Sequence, residues 1–466
     1  MALRHTPRGW WLREAGDTDQ APSLDGDVEA DVAIVGGGYT GMWTAWFVAQ
    51  LEPQARVVLL EAERCGAGPS GRNGGFVNEM WFSLPTLRRR FGDSAALEVA
   101  RASGEAVTGV GRWCEEQGVD AWFRRAGYLQ VSTAPAYDDT WRQVVTACEQ
   151  LGVPEVCRPL THAEVRARCD SPLFRAGAFY PGAATVHPAR LALGLRSKLL
   201  EQGVRVFEGT RADPPRRDGG DPILTTRTGR VRAGSVVLAA GPALAGHRPL
   251  RHRLTVTSSH MVVTEPVPDV LDALGWRGGE CITDSRSLVH YFRTTRDHRI
   301  AFGWGGGRVV RADRLNGRAE LDPGVVAQVE RSLVRFFPAL AGRRIEHAWG
   351  GPIDVAASHL PMIGSLDGGR VHYACGYTGN GVGPSHLAGR TLASLALGRR
   401  DAPSRLPLID APAGRVPPEP LRYLGGTVVR KALVRREQLE ERGERPGFLT
   451  RFVSGLPERI GIHVGR

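Results

Sequence analysis

Short apolar runs and a longer helical pattern alternate along the first sixty residues. Residues 31–35 (DVAIV) are typical of a buried strand, the glycines at 36–38 interrupt that run, and residues 42–51 are typical of a helix. Residues 56–60 (RVVLL) then predict a second strand. A strand, a glycine turn, a helix and a strand within about 30 residues make one βαβ unit of a parallel sheet.

The pattern then leaves this sheet and returns to it. Residues 95–117 predict an amphipathic helix of a different layer, and residues 127–131 predict a strand that follows it. Strand patterns at 204–207 and 235–240 lead back to the parallel sheet. Within residues 250–345 the polar and apolar positions alternate as in antiparallel strands.

We therefore predict an α/β fold of two discontinuous domains, because 466 residues exceed what one core usually holds. One is a Rossmann-type domain with a parallel sheet, and the other is an α+β domain with a mainly antiparallel sheet. The predicted division is an N-terminal arm at 1–30, the Rossmann-type domain at 31–90, 170–250 and 346–400, the second domain at 91–169 and 251–345, and a C-terminal extension at 401–466.

The glycine turn matches the pattern GxGxxG between a strand and a helix, which is the context that dinucleotide binding requires. In such a turn the first glycine allows the tight bend, the second lets the backbone approach a pyrophosphate, and the third lets the helix pack on the strand. A carboxylate at the end of the second strand accepts hydrogen bonds from ribose hydroxyls. We expect the dinucleotide to contact Gly36, Gly38, Tyr39, Thr40, Gly41 and Glu61.

A second glycine-rich loop follows almost immediately, at residues 66–75 (GAGPSGRNGG). A domain that binds NAD has no need of it, whereas a loop of this composition suits a backbone that wraps another stretch of the same ligand. The loop therefore favours FAD. Its expected cofactor contacts are Ser70, Arg72, Asn73, Gly74 and Gly75.

These motifs resemble the family of D-amino-acid oxidase, glycine oxidase and sarcosine oxidase. The resemblance rests on GGGYTG, VVLLE and SGRNGG near the N-terminus, on VHPARL at 186–191, on VVLAAG at 236–241 and on GYTGNGVG at 376–383. It spans nearly the whole chain. The tryptophans at 10–11 and the Arg-Asn-Gly-Gly loop are most similar to the gamma-glutamylputrescine oxidase branch.

The resemblance implies further flavin contacts from Gly241 and from Gly379, Asn380, Gly381 and Val382, with a helix at 384–397 behind the isoalloxazine ring. Some relatives tether FAD through a histidine in the loop that corresponds to residues 66–75, or through a cysteine near the C-terminal glycine segment. Here the loop holds Arg72, and residues 349–364 contain no cysteine. The resemblance therefore implies noncovalent FAD.

In this family the substrate lies over the flavin, on strands that correspond to residues 250–345. The expected substrate-side residues are Tyr291, Arg293 and His260. Arg293 is expected to clamp an anionic group of the substrate, and Tyr291 to orient its amine. A purely structural role is an equally open interpretation for each of the three side chains. A lone histidine, for example, is usually a satisfied polar group.

The resemblance implies oxidation of the C–N bond of a small amine or amino acid to an imine, which water hydrolyses to a carbonyl compound. Dioxygen, giving hydrogen peroxide, or an electron carrier would reoxidise the flavin. Two alternatives stay open. One is a flavin dehydrogenase of a non-amine substrate such as a hydroxy acid, and the other is a non-catalytic FAD-binding subunit.

The composition limits which binding partners are expected. The net charge is +11, but the basic residues are dispersed without a nucleic-acid-binding motif, so no nucleic-acid partner is expected. The seven cysteines form no CxxC pair, which predicts reduced thiols and no metal site. No apolar run approaches the ~20 residues of a membrane span, and the first thirty residues lack a signal-peptide core. We expect a cytoplasmic protein without stable membrane insertion.

The C-terminal extension contains one further pattern. Residues 421–442 place apolar side chains between basic ones and predict a basic amphipathic helix. Such a helix docks on an anionic membrane or, more commonly, on the protein's own surface, which is the outcome expected here.

Overall fold

The computed structural model describes residues 4–5, 8–16, 19–218, 220–311 and 314–462. Its strands are β1 Arg4–His5, β2 Val28–Val35, β3 Val57–Leu60, β4 Phe76–Val77, β5 Tyr128–Val131, β6 Arg158–Leu160, β7 Gly177–Tyr180, β8 Ala184–Thr185, β9 Arg205–Phe207, β10 Arg216–Asp218, β11 Asp221–Thr225, β12 Arg230–Leu238, β13 Leu254–Thr264, β14 Cys281–Asp284, β15 His290–Thr294, β16 Ile300–Trp304, β17 Val309–Val310, β18 Ile345–Ala356, β19 Met362–Leu366 and β20 Val371–Cys375. Its α-helices are α1 Gly9–Glu14, α2 Tyr39–Leu51, α3 Pro69–Arg72, α4 Leu84–Phe91, α5 Asp93–Glu116, α6 Arg142–Gln150, α7 His162–Arg168, α8 Pro188–Glu201, α9 Pro268–Ala273, α10 Pro323–Phe336, α11 Val382–Ala396, α12 Leu421–Glu441, α13 Phe448–Ser454 and α14 Leu456–Arg459.

The first large sheet has eight strands and contains the predicted βαβ unit. Its order is β10-β11-β12-β2-β3-β9, and β20 pairs with the second half of β12 and with β19. Strands β9, β3, β2, β12 and β20 run parallel to their neighbours in this set. All four residues of β3 are buried, as in a parallel sheet that is covered on both faces. The predicted Rossmann-type architecture is confirmed.

The second large sheet has ten strands and is mainly antiparallel, as the sequence predicts. Its order is β1-β18-β13-β16-β15-β14-β5-β7-β6, with β17 on β13. The long strands β13 and β18 pair along almost their whole length. Only the β1–β18 and β14–β5 pairs of the described sheet are parallel.

Two strands lie outside the domain boundaries expected from the sequence. Strand β7 and strand β18 both belong to the ten-stranded sheet, whereas residues 170–250 and 346–400 were expected in the Rossmann-type domain. The reason is that sheet membership depends on pairing with distant strands. The local apolar pattern of a strand does not specify that partner.

Two helical packings position the site. Helix α11 lies so close to α2 that a Cβ on Gly389 would come within 2.5 Å of the Trp43 Cβ atom. Helix α1 buries Trp10 and Trp11 beside Trp349, which brings the N-terminal arm onto the protein body. None of the helices in the described part of the chain is both long and apolar enough to span a bilayer.

Candidate active site

Residues from both large sheets line one cavity of about 1390 Å³. The glycine turn, the second glycine loop and the segment before α11 form one side of it. Strands β13 and β15 and the N-terminal half of α12 form much of the other side. We call these the cofactor side and the substrate side.

The glycine turn leaves the start of α2 open to the cavity. Gly36 has φ +112°, and an added Cβ there would meet the Ala239 carbonyl oxygen at 2.5 Å. A Cβ on Gly41 would lie 1.9 Å from the Gly36 oxygen, so Gly41 serves helix packing and does not line the cavity. An added Cβ on Gly38 meets only the Ser70 Oγ atom, at 3.0 Å. The space beside Gly38 therefore suits the close approach of a pyrophosphate to the backbone.

Glu61 directly follows strand β3, and its carboxylate lies at the cavity wall. One oxygen accepts a hydrogen bond from the Gly37 amide at 2.7 Å, and the other accepts one from the Glu63 amide at 2.8 Å. Burial raises the pKa of this carboxyl group. A carboxylate oxygen has capacity for a second hydrogen bond, so Glu61 is held in place with acceptor sites to spare for ribose hydroxyls.

The second glycine loop is fixed by its own side chains. The Asn73 amide group donates to the Ser70 carbonyl at 2.8 Å, and its oxygen accepts from the Gly75 amide at 2.7 Å. The Ser70 hydroxyl oxygen accepts from the Tyr39 amide at 2.8 Å, which joins the two glycine segments. Gly75 lies behind the cavity wall, where an added Cβ would meet the Val186 carbonyl at 2.2 Å.

Arg72 lines the cavity, but its charge already has a partner. Its guanidinium donates to the Ala67 carbonyl at 2.7 Å and forms an ion pair with Glu320 at 2.8 Å. The cation expected beside a diphosphate is thus paired with a carboxylate from the segment before α10.

The third cofactor segment lies between β20 and α11. Gly379, Asn380, Gly381 and Val382 all line the cavity, and Gly241 lines it from the end of β12. The Thr40 and Tyr377 hydroxyls are 2.8 Å apart and connect this segment to the glycine turn. Because α11 begins at Val382, its positive dipole end lies at the cavity. Of the sixteen predicted cofactor contacts, all but Gly41 and Gly75 line the cavity.

These features fit FAD. Three backbone segments, two from the first eighty residues and one after β20, converge on one cavity that also holds a carboxylate and a helix N-terminus. The first two suit the adenosine and diphosphate, and the third suits a ring system whose charge a helix dipole stabilises.

Tyr291 lies on the substrate side, against the second glycine loop. An added Cβ on Gly74 would lie 3.1 Å from its ring, and its hydroxyl is 2.7 Å from the Ser259 Oγ atom. The Ser259 hydroxyl also lies 2.9 Å from the Trp304 carbonyl, to which only the serine can donate. Since a serine hydroxyl has one hydrogen, Tyr291 donates to Ser259 and its phenol oxygen keeps lone pairs for a donor. Burial raises the pKa of Tyr291 to about 12, so the phenol stays protonated.

The placement of Arg293 corrects the role expected for it. Its buried guanidinium donates to the carbonyls of Val186 at 2.6 Å, Gly75 at 3.2 Å and Thr294 at 3.0 Å, and it does not line the cavity. Burial lowers its pKa to about 10. The alternating pattern of residues in β15 predicts a strand, but it does not specify the direction in which the Arg293 side chain points. Arg293 braces the second glycine loop from behind instead of facing an anion.

His260 is also outside the cavity lining, contrary to the substrate role considered from the sequence. Its Nε2 atom accepts a hydrogen bond from the Asp322 amide at 3.0 Å, and burial lowers its pKa to about 4. A neutral His260 therefore fixes the turn that carries Glu320, the partner of Arg72. This is the structural interpretation left open for a lone histidine.

Several cavity residues escaped the sequence analysis. Ser259, the neighbour of His260 on β13, lines the cavity in its place. Because successive side chains of a strand point to opposite faces, the alternating pattern was the signal that could have identified Ser259 as the cavity residue. The Gly350-Gly351 pair within β18 marks a close approach, because an added Cβ on Gly350 would lie 2.7 Å from both His260 Cδ2 and the Ser259 carbonyl. Nothing in the sequence of α12 indicates that its residues line this cavity.

The glycine cradle, the carboxylate and the open helix N-termini define a dinucleotide-binding flavoprotein. Residues 31–395 match the family described as FAD dependent oxidoreductase, and the chain belongs to that family. The protein is an FAD-dependent oxidoreductase, which confirms the resemblance found in the sequence.

Two curated relatives align along most of the chain. A probable oxidoreductase OrdL of Rhizobium meliloti is 29% identical over 435 residues, covering 91% of this chain and 94% of the relative. Gamma-glutamylputrescine oxidoreductase of Escherichia coli is 29% identical over 421 residues, covering 86% and 92%. Among solved structures, glycine oxidase from Geobacillus kaustophilus has the same fold, with a TM-score of 0.66 and 20% identity over 80% of this chain and 96% of that one.

Proposed function

We propose that the protein oxidises the C–N bond of a small amine or amino acid to an imine. The amine class is supported by the resemblance to gamma-glutamylputrescine oxidoreductase, which aligns over 86% of the chain. The observation that carries the proposal is the Tyr291–Ser259 pair at the substrate side of the cavity. It offers an acceptor, and an amine N–H group is a donor.

FAD, when bound, accepts the two electrons of the oxidation. The residues of the chain bind and orient the substrate. Tyr291 holds an amine hydrogen with its phenol oxygen, while Ser259 fixes the direction of that oxygen through the Trp304 carbonyl. Aromatic and apolar side chains, including those of Phe76, Met261 and Trp349, line the same side and exclude water from it.

The buried Arg293 gives no support for the anionic group that the sequence predicts on the substrate. Arg293 donates to three backbone carbonyls, and Arg72 is paired with Glu320. The two arginines of α12 that line the cavity also have partners, since Arg422 is paired with Glu419 and Arg430 donates to the Gly306 carbonyl. We therefore propose that recognition depends on the amine and on the shape of its carbon chain. Replacing a carboxylate of a good substrate by a neutral amide should leave its affinity nearly unchanged.

We propose that FAD is held without a covalent bond and that dioxygen, or else an electron carrier, reoxidises it. No cysteine of the described residues lines the cavity, and the thiols of Cys65 and Cys375 are buried behind its wall. Acid precipitation should release the flavin into the supernatant, and colour in the pellet would contradict this. Formation of hydrogen peroxide during turnover in air would support dioxygen, and its absence would favour a carrier.

The experiment that tests the amine proposal is an anaerobic titration of the flavin-loaded protein with a set of primary and secondary amines. Loss of the oxidised flavin absorbance with at least one amine supports the proposal. Reduction by hydroxy acids alone would favour the non-amine alternative. A flavin that no compound reduces would favour a non-catalytic FAD-binding subunit.

A further inference from the structure

Exposed apolar side chains are concentrated at the C-terminal end of the chain. Ten large apolar side chains are exposed in the described residues, and two of them, Leu200 and Val334, lie elsewhere. The other eight form what we call the C-terminal apolar surface: Leu421, Tyr423, Leu424, Val428, Phe448, Leu449, Phe452 and Ile460. Single exposed apolar residues are ordinary, whereas a concentration of this kind marks an interaction site.

Helix α12 docks on the protein in two ways. Its N-terminal half is held by Arg422, which is buried and donates to the Leu254 carbonyl at 2.8 Å, and by Arg430, which donates to the Gly306 carbonyl at 2.6 Å. Its C-terminal half packs through apolar side chains. Leu433 and Leu439 are buried, and the buried Glu437 carboxylate accepts a hydrogen bond from the Leu288 amide at 2.9 Å. The C-terminal half thus docks on the protein's own surface, as the sequence predicts for the whole helix. Leu424 and Val428 of the N-terminal half stay exposed, so the protein leaves the apolar side chains of that half uncovered.

The surface is continuous from α12 to the last described helices. The rings of Phe448 and Phe452 stack with centroids 6.1 Å apart, and the Arg459 guanidinium lies 4.8 Å from the Phe452 ring. Ile460 follows and lines the same cavity as Leu424 and Val428. The apolar side chains therefore extend from the edge of the active-site cavity to the tip of α13.

The charges of this segment are predominantly positive. Two exposed acidic residues, Glu444 and Glu458, stand against six exposed basic ones: Lys431, Arg435, Arg442, Arg445, Arg451 and Arg459. Aromatic and aliphatic side chains beside arginines and lysines are the pattern of a segment that lies in a membrane interface, where anionic headgroups attract the cations.

We propose that the C-terminal apolar surface docks reversibly on an anionic lipid bilayer. Phe448 and Leu449, which are 76% and 72% exposed, enter the headgroup region, while the surrounding arginines meet lipid phosphates. The contact is peripheral and requires no spanning helix. Because Leu424, Val428 and Ile460 belong to both the surface and the cavity wall, docking brings the mouth of the cavity to the bilayer.

Co-sedimentation of the flavin-loaded protein with vesicles tests this proposal. One vesicle is phosphatidylcholine alone, and the other contains equal parts of phosphatidylcholine and phosphatidylglycerol. The protein should pellet with the anionic vesicles, less so at high salt, and the double variant Phe448→Glu/Leu449→Glu should lower the bound fraction about tenfold. The matched control Leu200→Glu/Val334→Glu changes the two exposed apolar residues outside the surface and should bind as the wild type does.

Flavin content reports whether each variant folds. If the Phe448 and Leu449 variant fails to fold, Arg445→Gln/Arg451→Gln keeps the apolar side chains and should still weaken binding to the anionic vesicles. Wild-type protein that stays in the supernatant overturns the proposal, as does undiminished binding of the folded variants. A dimer in the absence of vesicles that the Phe448 and Leu449 variant dissociates would instead assign the surface to a second copy of the chain.

Discussion

The two sides of the cavity are built in different ways. The cofactor side consists largely of backbone, in three short segments whose hydrogen bonds close within the segment or onto the next one, such as Asn73 onto Ser70. The substrate side consists of side chains from strands and from α12, whose neighbours lie far away in sequence. Tyr291 acts with Ser259, and Glu320 acts with Arg72. Cofactor binding should therefore respond to local backbone changes, and substrate binding to single functional groups.

The largest effect is expected at Gly38. Its φ of −81° is open to any residue, and an added Cβ meets only the Ser70 Oγ atom, so Gly38→Leu should fold. The new side chain would occupy the space of the pyrophosphate, and the purified protein should lack bound flavin. Flavin absorbance per chain measures this. Gly246→Leu, at a glycine with no neighbour within 4 Å and outside the cavity lining, should keep its flavin.

Arg293 is the sharpest test of the difference between the two sides. The sequence places it on the substrate side, whereas the structure places it behind the second glycine loop of the cofactor side. Arg293→Ala removes a donor from the carbonyls of Val186, Gly75 and Thr294, of which Gly75 keeps the Val186 amide, and should lower the free energy of unfolding by about 2 kcal/mol. Denaturant titration and flavin content should both show the loss. A normal flavin content with a large rise in KM for the amine would return Arg293 to the substrate side.

Asp354 gives a pH-dependent effect on the cofactor side. Burial raises its pKa from 3.8 to about 6, and its carboxylate accepts from the Gly376 amide at 2.5 Å. A raised carboxyl pKa means that ionisation costs folding stability. The cost is absent below pH ~4, grows up to pH ~6 and is constant above. Asp354→Asn keeps the acceptor and should raise the free energy of unfolding at pH ~8 by about 2 kcal/mol.

The unfolding curves of the wild type and Asp354→Asn should converge near pH ~4, where both side chains are neutral. A stability gain of Asp354→Asn that does not change with pH would rule out ionisation as its cause.

The smallest effect is expected at Tyr291. Tyr291→Phe keeps the ring against Gly74 but removes the hydroxyl that accepts from the amine. Loss of one such hydrogen bond should lower kcat/KM about tenfold. Flavin content should not change. Tyr373→Phe, at a buried tyrosine outside the cavity lining, should retain wild-type kinetics. Equal kinetics of both variants would remove Tyr291 from substrate binding.

The same contrast explains what the sequence could predict. The turn at Gly36 and the carboxylate of Glu61 follow local rules, because a glycine pattern between a strand and a helix allows few backbone paths. The orientation of Arg293 depends on Val186, more than a hundred residues away. The placement of β18 in the ten-stranded sheet depends likewise on β13. Such pairings are tertiary, and periodicity does not encode them.

The central claim is that an amine donor meets Tyr291 over a backbone-bound flavin. Anaerobic stopped-flow reduction with a matched pair of compounds tests it most directly: an amine that reduces the wild type, and the alcohol with the same carbon skeleton. We predict that the amine bleaches the flavin and that Tyr291→Phe slows this at low amine concentration, while the alcohol leaves the flavin oxidised. Equally fast reduction by the alcohol would contradict the account.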